Sequence, residues 1–140
     1  MNTEKFVYVS YIATTQQKLW DALVKPEFVK EYFFGRDMVT DWKVGSSIKM
    51  GEDWDGKVLK SEPISLLSFT FHHLGHHALS SEPVSTVTYK LEQKGKLVQL
   101  TLIHEELSKT LYANISQGWP QIISSLKSFL EMGKPITDLW

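Results

Sequence analysis

Between Ser116 and Met132 the large apolar residues are Trp119, Ile122, Ile123, Leu126, Phe129 and Leu130. Their spacing places them on one face of a helix. Gln121, Ser124, Ser125, Lys127, Ser128 and Glu131 fill the opposite face. The pattern predicts a helix with Pro120 in its first turn, the one place where a missing N–H costs nothing. Gly133 and then Pro135 predict its end. Glu105–Ile115 is expected to be a connector into this helix.

Upstream the period mostly drops to two. Phe6–Ile12 reads as a strand, with Phe6, Tyr8, Ser10 and Ile12 on one face and Val7, Val9 and Tyr11 on the other. Thr14 or Thr15 can cap a helix that runs to about Val24 and buries Leu19, Trp20 and Leu23. Pro26 opens a shorter helix, Pro26–Tyr32. Phe28, Tyr32, Phe33 and Phe34 are more aromatic surface than one exposed helix can bury, so some of them face a shared interior. Further strands are expected at Met38–Trp42, Ser47–Met50, Lys57–Lys60, Leu66–His72, Ser85–Gln93 and Lys96–His104. Gly51–Gly56 reads as a hairpin connection with an Asp55-Gly56 turn, and Lys94-Gly95 as a second hairpin. His73–Val84 reads as a long polar loop.

Strands joined by tight turns imply an antiparallel sheet. The expected fold is therefore α+β: a curved antiparallel sheet of six or seven strands around a long C-terminal helix, with two short helices after the first strand. Residues 1–133 are expected to form one domain, and 134–140 a C-terminal tail. A strongly curved sheet against a single helix is expected to leave a hollow that the helix cannot fill.

Composition narrows the class. The chain has 140 residues, no cysteine and a formal net charge of −1. Without cysteine there is no disulfide framework and no thiol nucleophile, which fits a reducing, cytoplasmic location. The 15 basic residues, all but Arg36 being lysine, are scattered, so no nucleic-acid partner is expected. The N-terminus carries no signal-peptide pattern, and no apolar run is long enough to enter a membrane.

The order of elements resembles the helix-grip fold of the START / Bet v 1-like superfamily, and within it the branch of the activator of Hsp90 ATPase. The match is carried by Ile12-Ala13-Thr14-Thr15 running into Leu19-Trp20-Asp21-Ala22-Leu23, by Lys25-Pro26-Glu27, and by Tyr32-Phe33-Phe34-Gly35. It continues through Trp42-Lys43-Val44-Gly45, Gly56-Lys57-Val58-Leu59, Leu67-Ser68-Phe69-Thr70, Val87-Thr88-Tyr89-Lys90-Leu91 and Leu100–Glu105 to Gly118-Trp119-Pro120. Gln16 stands where a proline is usual in the branch, and Lys25 where an acidic residue is usual. The resemblance implies an apolar cavity between sheet and C-terminal helix, and members that bind lipids, sterols, polyketides or similar molecules. Some members are enzymes. The fold alone does not choose among these roles.

Candidate chemistry is sparse. His72, His73, His76 and His77 form an HHLGHH run that suggests a metal site, but no carboxylate closer than Glu82 completes a set, and a polar loop is the plainer reading. His104 with Glu105 and Glu106 suggests an acid–base group, against which stands a buried histidine satisfied by its surroundings. Asp53-Trp54-Asp55-Gly56 lacks the alternating ligands of a calcium loop. Arg36 suits a ligand carboxylate or, more commonly, a surface salt bridge. No catalytic residue, metal or cofactor is assigned.

The expected function is binding of an apolar or amphipathic small molecule. The expected cavity residues are Phe28, Tyr32, Phe33, Trp42, Phe69, Phe71, Tyr89, His104, Trp119, Ile122, Ile123 and Leu126, with Tyr8, Tyr32, Tyr89, His72 and His104 as possible polar anchors. Two alternatives are a cyclase or hydrolase using His104 or His72, and a chaperone-linked interaction protein. A separate N-terminal domain like that of the named activator is not expected within these 140 residues, which counts against a chaperone partner. The tail residues Asp138-Leu139-Trp140 suggest a homodimer contact.

Overall fold

The computed structural model describes residues 4–74 and 79–136. His76, His77 and the Asp138-Leu139-Trp140 tail lie outside them. Seven strands form one antiparallel sheet: β1 (Glu4–Ile12), β2 (Met38–Val39), β3 (Ser47–Met50), β4 (Trp54–Glu62), β5 (Leu66–His73), β6 (Ser85–Lys94) and β7 (Leu97–Leu107). Their spatial order is β1-β7-β6-β5-β4-β3-β2, so the chain returns at β7 to pair with its own first strand. Helices α1 (Gln16–Val24) and α2 (Pro26–Tyr32) follow β1, and α3 (Lys109–Met132) lies against β1, β7 and the two short helices. This is the expected α+β helix grip.

Local chemistry explains most boundaries. The Thr15 side chain, not Thr14, accepts from the Lys18 N–H and caps α1. Gln16 reaches from the first turn of α1 to the carbonyls of Ile64 and Leu91, tying the helix to the sheet. Phe6, Tyr8 and Ile12 face α3, while Val7, Val9 and Tyr11 stay exposed on the outer face. Lys127 donates to the Tyr11 carbonyl at 2.6 Å, and Glu131 accepts from the Ala13 N–H at 2.8 Å. These two residues of α3 clamp the end of the edge strand β1, where backbone groups would otherwise be open to pairing.

Three expectations are corrected. The long helix begins at Lys109, capped by the Ser108 side chain, and carries Pro120 in its interior. Leu111 and Ile115 extend the apolar stripe that contains Trp119 and Ile122. Burial of that stripe outweighs the one backbone bond that Pro120 cannot donate. The connector expected at Glu105–Ile115 is thus the end of β7 and the first two turns of α3.

Second, Asp55-Gly56 is not a turn. The turn lies at Gly51–Asp53, with Gly51 at φ 60°, and β4 starts at Trp54. Gly56 is required inside the strand because a Cβ there would meet the Thr70 carbonyl oxygen at 1.9 Å. Third, β2 ends at Val39, and Trp42 takes a left-handed backbone at φ 58° instead of continuing a strand.

Candidate functional site

The concave face of the sheet holds its aromatic residues at one end. Phe33, at the C-terminal end of α2, sits at their centre. Its ring meets those of Trp54 at 5.6 Å and Trp119 at 5.9 Å, both edge to face. Phe34 at φ 54° and Gly35 at φ 68° turn the chain sharply just after it. Phe34 and Trp42 are both aromatic residues in a left-handed backbone, a conformation that costs about 1–3 kcal/mol for a side-chain-bearing residue. Both pack at the same aromatic end.

Two cavities lie against this cluster. One, of about 30 Å³, is lined by Tyr32, Phe33, Trp42, Phe69, Tyr89 and Trp119, with Leu23, Val29, Met38, Ile48 and Met50 around them and Asp55 and Thr70 as its other polar residues. The other, of about 70 Å³, lies between α3 and the sheet, against Phe34, His73, Ile115, Gly118 and Ile122. Phe33, Trp54, Phe71 and Trp119 border both, so four rings form the wall between them. The expected hollow is therefore smaller than a helix against a bare curved sheet would leave, because the rings occupy most of it.

Hydrogen bonds orient this wall. Trp119 Nε1–H donates to His104 Nδ1 at 2.9 Å, and Trp54 Nε1–H donates to His73 Nδ1 at 2.8 Å. The Phe71 ring touches both imidazoles, at 5.2 and 5.4 Å. On the outer side the Arg36 guanidinium lies 5.3 Å from the Trp54 ring centre and pairs with Asp53 at 2.8 Å.

His104 is fully buried, and its Nε2 lies 2.7 Å from Ser85 Oγ. A serine beside a histidine resembles a nucleophile–base pair, but the network assigns the protons otherwise. Nδ1 accepts from Trp119, so Nε2 carries the hydrogen and donates to Ser85, whose hydroxyl in turn donates to the Phe71 carbonyl at 3.3 Å. A base needs a free lone pair on Nε2, and here that atom is the donor. Burial, and secondarily nearby His73, lowers the His104 pKa to about 3, so the ring stays neutral. The group is a buried tether for Trp119.

Of the expected cavity residues, Tyr32, Phe33, Trp42, Phe69, Phe71, Tyr89 and Trp119 line the smaller cavity. Ile122 lines the larger one, together with Phe33, Phe71 and Trp119. Phe28 packs instead on Phe129 at 5.9 Å, between α2 and α3. His104 stands behind Trp119, and Ile123 and Leu126 sit in the aliphatic core. Tyr8 stacks on Phe6. His72 is on the opposite side of β5 from His73, 3.5 Å from Asp55 and 3.2 Å from the Ser80 carbonyl. The expected cavity residues left out Trp54, a member of the wall, and His73, which holds Trp54 through Nδ1 and lines the larger cavity. Trp54 and Val58 share an inward face of β4, a period-two signal hidden by reading Asp55-Gly56 as a turn. Among the described residues no group of three or more His, Asp or Glu side chains is placed to hold a metal ion, and no helix is long and apolar enough to cross a membrane.

The family model described as activator of Hsp90 ATPase homolog 1-like protein matches residues 13–131. No curated protein matches the sequence. Among solved structures, CalU16 from Micromonospora echinospora is 19% identical with a TM-score of 0.80, over 94% of this chain and 78% of that one. Protein MLL2253 from Mesorhizobium loti is 27% identical with a TM-score of 0.77, over 91% and 96%. The Aha1 dimer from Colwellia psychrerythraea is 21% identical with a TM-score of 0.74, over 94% and 98%.

Proposed function

We propose, from the premise that this chain belongs to the activator of Hsp90 ATPase homolog 1-like family, that it is a binding module for a small apolar molecule. The observation that carries this reading is the four-ring wall between two cavities. Ligand pockets usually measure about 300–1,000 Å³ and are mostly apolar with a few polar groups. Neither cavity alone reaches that size. Displacing Phe33 and Trp54 would join them and open the space between β3–β5, α2 and α3.

A closed form that must open lowers apparent affinity by the fraction of molecules already open. The ligand is therefore expected to bind by shifting the protein toward an open form, with Trp54 and Trp119 as its walls. Ligand binding to the folded state alone also raises the melting temperature. The purified protein should be incubated with mixed lipids, flavonoids and polyketides, desalted, and analysed by mass spectrometry and thermal melting. One retained apolar molecule per chain with a raised melting temperature supports the reading; no retained molecule and no shift with any mixture would sink it.

The Aha1 relative is described as a dimer. The exposed Val7, Val9 and Tyr11 on the outer face of β1 supply an apolar strip for a second copy of this chain. Light scattering at high concentration tests this, and a strict monomer there would remove it.

A further inference from the structure

Among the described residues, the Trp and Tyr polar groups that line the smaller cavity have protein partners, with one exception. Trp42 Nε1–H donates to the Val24 carbonyl at 3.0 Å. The Trp54 and Trp119 N–H groups donate to the two imidazoles. The Tyr32 hydroxyl donates to the Ala22 carbonyl at 2.8 Å. The Tyr89 hydroxyl makes no hydrogen bond to the protein.

Tyr89 is only 4% exposed and comes from the centre of β6. Phe69 at 6.0 Å and Trp119 at 6.2 Å hold its ring. The hydroxyl is not sealed in by protein atoms, since no closed-off unpaired atom occurs on this side chain, and the residue lines the cavity. Burial raises its pKa, so the group remains an O–H donor throughout the neutral range. A buried hydroxyl without a partner is destabilising. A water needs two to four polar partners, and the mostly apolar lining adds only Asp55 and Thr70, whose Oγ1 already accepts from the Lys57 N–H, so a ligand oxygen satisfies the hydroxyl better.

We infer that Tyr89 is the donor that orients the ligand, and that the ligand is a flat, largely apolar molecule with one carbonyl-type oxygen, such as an aromatic ketone. The flatness follows from the rings that form the walls, and the oxygen from the one Trp or Tyr donor among them that the protein leaves unused. The inference rests on the cavity reading above.

Fluorene and 9-fluorenone have the same rigid shape and differ by one carbonyl. Their affinities for the wild type and for Tyr89→Phe are to be measured by calorimetry or by tryptophan quenching. The wild type should prefer the ketone by about tenfold, the worth of one hydrogen bond, and Tyr89→Phe should bring that preference to within about twofold. An unchanged preference in Tyr89→Phe would overturn the role of Tyr89 and leave the cavity reading standing. Failure of both compounds to bind the wild type would overturn both. Melting gives a second, ligand-free readout: Tyr89→Phe should melt at or above the wild-type temperature, whereas Tyr32→Phe should melt lower. A Tyr89→Phe loss equal to that of Tyr32→Phe would show that the hydroxyl already has a structural partner, and would end the proposal.

Discussion

The two ends of the grip are packed by different means. At one end Ile12, Leu19, Val98, Leu100 and Leu126 are almost wholly buried and line neither cavity. At the other end Phe33 meets Trp54 and Trp119, and Trp54 meets Phe71, at centroid distances of 5.6–5.9 Å, and the voids lie beside them. Branched aliphatic chains interdigitate to near-crystal density. Flat rings held edge to face leave wedges between them, and two of these rings are fixed in orientation by an N–H bond to an imidazole. The aliphatic end therefore supplies stability, and the aromatic end supplies space whose shape depends on a few ring positions.

The sharpest way to break this comparison is to truncate both ends. Leu126→Ala should destabilise the fold by about 3–5 kcal/mol, because the close-packed site cannot collapse around the cavity. Phe69→Ala, at a half-buried site beside an existing void, should fall at or below about 3 kcal/mol. Urea unfolding of the two variants measures the difference, and equal losses would erase the distinction between the ends.

His104→Leu should come next, at about 2–4 kcal/mol, since it leaves the Trp119 N–H and the Ser85 hydroxyl without their partner. It also has a pH signature. The folded state keeps His104 neutral down to about pH 3, while the unfolded chain takes up a proton near pH 6.5. Its contribution is complete above about pH 6.5 and is lost as the pH falls toward 3, with an upper limit of about 4–5 kcal/mol. His104→Leu should therefore flatten the stability profile between pH 7 and 4. A slope identical to the wild type would show that His104 is not the buried neutral group described.

The smallest effect is expected at the solvent-facing clamp on β1. The Ala13 N–H, and then Lys127, hold the Glu131 carboxyl below its usual pKa. Its contribution is present above about pH 4.5 and fades as the pH falls below that. Glu131→Gln should cost no more than about 1 kcal/mol at pH 7 and nothing further in acid, because the group is partly exposed and screened. Ligand affinity should not change, as the clamp is far along α3 from the rings. A drop in affinity would mean that the two ends are coupled.

How much of this was legible in the sequence depended on whether one rule decided each position. The helix at Pro26–Tyr32, the strand at Ser47–Met50 and the stop at Gly133 obey single local signals and lie where those signals put them. Pro120 obeyed its weaker tertiary constraint: a helix end is favoured by propensity, but Leu111 and Ile115 had surface to bury beyond it. Gly56 carried two meanings, turn or close approach, and only the position of the Thr70 carbonyl separates them. The aromatic residues of the site were legible as a group. Their division into lining and core was not, because Phe28 and Phe33 sit five positions apart, across the end of α2, and face different partners. The pairing of Trp119 with His104 spans 15 residues and depends on register.

The central claim is that the ring wall opens to admit an apolar ligand while the aliphatic end stays shut. The indole N–H signals of the protein labelled with nitrogen-15, followed by NMR during titration with 9-fluorenone, test it most directly. The Trp42, Trp54 and Trp119 signals should shift together and saturate, while Trp20, which borders neither cavity, should stay in place. Equal small drifts of all these signals without saturation, or a response confined to Trp20, would contradict it.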